Sequence, residues 1–86
     1  MANLVGKMRP LVDRLLHLMH NLAAVSPDNA KTLPELAQLT QESADKIHSV
    51  LEGEEAAGHV KSISDKKELR YYLTGLGILK AISMLT

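Results

Sequence analysis

Apolar and polar positions alternate with two different periods along this chain of 86 residues. From Leu11 to Ala24 the apolar residues are Leu11, Val12, Leu15, Leu16, Leu18, Met19, Leu22 and Ala23. Their steps of three and four predict a helix, and the apolar face is wide enough to contact both the domain's own core and a second subunit. Pro10 suits the first turn of that helix, because its missing N–H would have no partner there anyway. Ser26-Pro27-Asp28-Asn29 is a turn signal that ends it. Ahead of it, residues 1–9 carry Leu4, Val5 and Met8 around Gly6 and read as an arm or a short helical extension.

Thr32-Leu33-Pro34-Glu35 has the form of a capping box. The Thr32 hydroxyl accepts from the amide three residues on, and the Glu35 carboxylate reaches back to the cap. The helix it opens is about two turns long, with Leu36, Ala37 and Leu39 apolar, and Thr40 is a candidate N-cap for the next. That next helix is expected from Gln41 to Ala57, with Ala44, Ile47, Val50 and Leu51 inward and Gln41, Glu42, Asp45, Lys46 and Ser49 outward. Gly58 stops it. Gly53 weakens its interior by roughly 1 kcal/mol relative to Ala and invites a bend.

The period then changes to two. His59–Ser64 and Glu68–Leu73 read as strands, the second alternating Leu69, Tyr71 and Leu73 with Glu68, Arg70 and Tyr72. Asp65-Lys66-Lys67 is the tip between them. Thr74 caps a final helix through Leu85, with Leu76, Leu79, Ile82 and Leu85 on one stripe.

Composition narrows the function classes. A single domain of 86 residues buries only about 60% of its unfolded surface, so a second copy would help its stability. With two tyrosines and neither Phe nor Trp, the core must be built from Leu, Ile, Val, Ala and Met. The absence of cysteine excludes disulfides and thiolate metal sites. Ten basic residues balance ten acidic ones, which argues against strong non-specific nucleic-acid binding but not against a local basic patch. No apolar run approaches a membrane span and the N-terminus lacks a signal peptide's apolar region, so a cytoplasmic location is the expectation.

The order helix, helix, helix, strand, strand, helix resembles a winged helix-turn-helix domain, a mainly α fold with a small β-hairpin wing (α+β). Three local signatures carry the resemblance. Leu36-Ala37, Leu39-Thr40, Ile47 and Leu51 resemble the helix-turn-helix core of bacterial and archaeal transcriptional regulators. Glu55-Ala56-Ala57-Gly58-His59-Val60 looks like the exit from a recognition helix into a wing. Tyr71-Tyr72-Leu73-Thr74-Gly75-Leu76-Gly77 is similar to the run by which such wings return to a last helix. The resemblance implies one domain over residues 1–86, with the helix-turn-helix at 32–58, the wing at 59–73 and a C-terminal helix at 74–86. Glu54 departs from the pattern, standing where these regulators usually have Leu.

The resemblance also implies a function: a small sequence-specific DNA-binding transcriptional regulator acting as a homodimer through its N- and C-terminal helices. The helix at Gln41–Ala57 would enter the major groove, with Gln41, Lys46 and Ser49 best placed for bases or phosphates. Asp45 and Glu42 would accept from a cytosine amine or repel phosphates. Lys61, Lys66, Lys67 and Arg70 would add phosphate contacts from the wing, offset in part by Asp65 and Glu68. The competing reading is a winged-helix protein-interaction module without DNA binding, favoured by zero net charge and by the acidic cluster Glu52, Glu54 and Glu55. No cofactor is implied. Asp13, His17 and His20 share helical spacing, yet two imidazoles and a carboxylate with no further ligand nearby make a poor metal site; ordinary surface or hydrogen-bonded residues are the expectation, and His48 and His59 are expected to flank the core. No phosphate loop, nucleophile motif or paired-carboxylate cleft points to an enzyme.

Overall fold

The computed structural model describes residues 10–83; the expected N-terminal arm and Leu85 lie outside them. The elements are α1 (Leu11–Asn21), a short 3-10 turn (Pro27–Asn29), β1 (Lys31–Thr32), α2 (Leu33–Thr40), α3 (Ala44–Ala56), β2 (Val60–Asp65), β3 (Glu68–Leu73) and α4 (Gly75–Ser83). The fold is a winged helix-turn-helix: a helical layer packed on a three-stranded antiparallel sheet of order β1-β3-β2.

The core is the one the composition requires. Leu15, Leu16 and Met19 of α1, Leu36 of α2, Ile47 and Leu51 of α3, Val60, Tyr71 and Leu73 of the hairpin and Ala81 of α4 form one buried cluster. Those of α1, α2 and α3 stand on the apolar side of their helix in the periodic pattern, whereas α4 buries Gly77 and Ala81 and leaves its stripe of Leu76, Leu79 and Ile82 exposed. Leu69, also in phase with Tyr71 and Leu73, is exposed because the wing runs outward past the core at that point.

β2 runs Val60–Asp65 in place of the expected His59–Ser64, and the helix ends differ from the sequence expectation for related reasons. α1 stops at Asn21 and not Ala24, because Ala23 turns left-handed (φ 57). The Ala23 amide then donates to the His20 carbonyl and the Ala24 amide to the Met19 carbonyl, the two-bond closure usually built on glycine. α2 closes the same way: Gln41 is left-handed (φ 59), its amide donates to Gln38 O, and Glu42 N donates to Ala37 O. Gln41 and Glu42 therefore form the turn of the helix-turn-helix, and α3 begins at Ala44 with Ser43 as its cap. Thr40 is not that cap. It is buried, and its hydroxyl donates to the Leu36 and Ala37 carbonyls within α2. Gly58 (φ 83) ends α3 as expected. The helix runs unbroken through Gly53.

The capping box is present as read. Glu35 N donates to Thr32 Oγ1 at 3.3 Å, and Thr32 N donates to Glu35 Oε1 at 3.0 Å. β1 has no signature in the sequence, since two residues show no period. Lys31 and Thr32 pair with Tyr71 and Arg70, extending the hairpin to a third strand.

Candidate nucleic-acid interface

The outer face of α3 and the tip of the wing present charged side chains to solvent. Ser43 caps α3 by accepting from Lys46 N at 3.3 Å, which fixes the first turn and points Asp45, Lys46 and Ser49 into solvent. Lys46 lies 3.6 Å from Glu42 in an exposed ion pair; such a pair contributes little and leaves the ammonium accessible. Gln41, expected on this helix, sits instead in the turn before it, exposed and at the same end. The turn is braced from behind by Arg14, which no sequence motif singles out. Its guanidinium donates to Thr40 O at 2.8 Å and to Glu42 Oε2 at 3.4 Å, tying α1 to the helix-turn-helix.

In the wing, Asp65 pairs with Glu68, so the loop is two residues long. Lys66 (φ 49) and Lys67 (φ 70) both occupy left-handed backbone. A two-residue loop with positive φ at both positions matches the right-handed twist of the strands and favours Asn-Gly. Lysine there costs on the order of 1 kcal/mol per residue. Among the described residues neither these lysines nor Lys61, exposed on β2, makes an ion pair.

Arg70 is placed differently from the other wing cations. Its side chain is half-buried midway along the hairpin, where β3 lies between Ile63 and Thr32, donating to Ala30 O at 3.3 Å and Glu68 Oε2 at 3.0 Å. Its Nε, 3.9 Å from Asp65, has no hydrogen-bond partner among the described residues. Arg70 thus fastens β3 to the segment before β1. Nearby, the backbone N–H of Thr32 holds the Glu35 carboxyl below the usual carboxylate range, with Lys31 and Arg70 adding to the effect.

The acidic run at the end of α3 is largely engaged. Glu52 lies 3.3 Å from His48 on the solvent side, so His48 does not flank the core. Glu54 Oε1 is 2.9 Å from Lys80 Nζ and 3.0 Å from His59 Nδ1. Ser62 donates to Glu55 at 2.8 Å, fastening β2 to α3. Burial, with the charges of Glu55 and Glu52, pushes the Tyr71 phenol above its ordinary value.

Among the described residues no three His, Asp or Glu side chains converge as a metal site, and no pocket opens. No helix among them is long and apolar enough to cross a membrane.

Comparison with solved structures places this arrangement in a class. The chain matches an inferred DNA-binding protein from Ralstonia eutropha JMP134 at 19% identity, covering 92% of this chain and 99% of the other, with a TM-score of 0.77. TubR from Bacillus megaterium pBM400 matches at 20% identity over 96% and 92% of the two chains, TM-score 0.74. MepR from S. aureus, in a structure of its DNA complex, matches at 18% identity over 83% of this chain and 59% of MepR, TM-score 0.68. At such identities the likeness establishes the shared winged helix-turn-helix fold. No protein-family model matches the sequence, and no curated protein does.

Proposed function

We propose that this chain is a DNA-binding transcriptional regulator that acts as a homodimer, with the start of α3 in the major groove and the wing on phosphates. The observation that carries the proposal is the wing turn. Two lysines occupy left-handed positions where Asn-Gly would be less strained. They place two unpaired cations at the outermost point of the hairpin, with Lys61 behind them. Strain held at an exposed, charged tip is a pointer to function. MepR, which shares the fold, has been solved in complex with DNA.

In this reading Gln41, Lys46 and Ser49 meet bases or phosphates at the N-terminal end of α3, and Asp45 accepts from a cytosine amine. Lys61, Lys66 and Lys67 neutralise phosphates, and Arg70 holds the wing that carries them. Dimerisation is supported by the last helix: Leu76, Leu79 and Ile82, on one stripe of α4, are 60%, 65% and 44% exposed. Two copies pairing through such stripes would present two wings and two α3 helices to successive half-sites. Binding to labelled genomic DNA fragments, followed by fluorescence anisotropy at low and moderate salt, tests this. Salt-sensitive binding is expected; no binding at either salt would overturn it.

The exposed carboxylates Asp45, Glu52 and Glu55 on α3 favour a second reading, a protein-interaction module. Under it, a Lys66→Glu/Lys67→Glu variant would leave a captured protein partner unaffected and no DNA signal would exist to lose.

A further inference from the structure

The place where α3 leaves for the wing and the wing returns to α4 is one joint, and its centre is Glu54. Six hydrogen bonds and one close packing contact lock it. The Glu54 carboxylate, 12% exposed, lies between Lys80 Nζ of α4 and His59 Nδ1 of the connecting turn. The His59 amide donates to the Glu54 carbonyl at 2.9 Å, and the Thr74 amide donates to His59 O at 3.0 Å. The Thr74 hydroxyl donates to Gly58 O at 2.6 Å and accepts from Gly77 N at 3.1 Å. Gly77 is pressed so close to the His59 carbonyl that a Cβ would fall 1.9 Å from its oxygen. Within this joint the Glu54–Lys80 pair is a side-chain link from α3 to α4, whose main helix neighbour is α1.

We propose that Glu54 is a positioning residue: through Lys80 it fixes the angle of α4 against α3 and the wing root, so that the two DNA-facing elements hold one orientation relative to the helix assigned to dimerisation. A half-buried ion pair suits this task, being directional and weakly screened by salt. An apolar side chain at position 54 would fill the space without fixing the angle. Glu54 touches no nucleic acid in this role. Its effect on DNA binding rests on the regulator reading above, whereas its effect on the joint does not.

The test uses Glu54→Gln, Lys80→Gln and the double variant in the full chain, with two readouts. The first is amide hydrogen exchange at His59 and Thr74, which needs no DNA. Each variant is expected to exchange about tenfold faster there than the parent, with the amides of the wing tip unchanged. The second is DNA affinity. By charge alone, Glu54→Gln would bind tighter and Lys80→Gln weaker, the two cancelling in the double variant. Positioning predicts that both single variants bind about tenfold more weakly and that the double is no worse than either. Unchanged exchange at both amides, or tighter binding by Glu54→Gln, overturns the proposal. If the parent protein binds no DNA, the regulator reading falls and the exchange data alone decide the joint.

Discussion

Replacing Gly77 by alanine tests the packing of the α3–α4 joint most severely. Gly77 is buried in the first turn of α4 against the His59 carbonyl. An added Cβ would lie 1.9 Å from His59 O, 2.9 Å from its carbonyl carbon and 3.2 Å from Leu73 Cδ2. Side-chain carbons do not come within 3.0 Å of such atoms, so helix or carbonyl must retreat by roughly 1 Å. The carbonyl is not free to do so, since it accepts from Thr74 N at 3.0 Å. Overpacking of this kind costs about 1–3 kcal/mol, and weakening the Thr74 bond adds about 1 kcal/mol. Alanine's better helix propensity returns about 1 kcal/mol. The net expectation is about 1–3 kcal/mol of destabilisation, which in a domain of this size lowers Tm by about 5–20 °C. Gly53→Ala is the matched control, because a Cβ there meets nothing within 4 Å. It keeps only the propensity gain and should raise stability by about 0.5–1 kcal/mol. Circular-dichroism thermal melts and urea titrations with unchanged m values measure both. A Gly77→Ala protein that melts at or above the parent temperature would refute the reasoning.

The remaining predictions concern the wing turn and two titrating groups. Lys66→Asn/Lys67→Gly relieves the left-handed strain and should stabilise the domain by about 1–2 kcal/mol, while weakening DNA binding measured in the same preparation. Glu35 is a depressed carboxylate, so its contribution is present above the ordinary carboxylate value and is lost as pH falls through its lowered folded value. Urea midpoints of the parent and Glu35→Gln should therefore differ at neutral pH and converge in acid. Tyr71 is shifted up, mainly by burial, so the stability tied to its neutral phenol is present below the ordinary tyrosine value and declines as pH rises through its folded value. In a Tyr72→Phe protein, tyrosinate absorbance should appear above the ordinary range, and Glu55→Gln should move it back towards that range.

Most of the fold is legible in the sequence because it is written in periodicity and caps. The steps of three and four through Leu15, Leu16 and Met19, the Thr32–Glu35 box and the alternation of Tyr71 and Leu73 each specify a local state that tertiary packing then uses. What is not legible is where a non-glycine residue turns left-handed. Ala23 and Gln41 end their helices in a conformation their side chains do not advertise, so the pattern overruns the end of α1 by three residues and anticipates α3 by three. β1 escapes the pattern because its two residues are strand only by virtue of pairing with Tyr71 and Arg70. At the candidate site, charge counting runs ahead of geometry. Arg70 braces the middle of the wing against the segment before β1, and Glu54, an anomaly in sequence, is the centre of a joint whose partners lie five and 26 residues away.

The central claim is that the lysines of the wing meet phosphates, and the salt dependence of affinity tests it directly. Removing one phosphate contact reduces the slope of log K against log salt by about 1. For Lys66→Ala/Lys67→Ala the account predicts weaker DNA binding with a slope smaller than the parent's by about 2. Parent and variant sharing one affinity and one slope would contradict it.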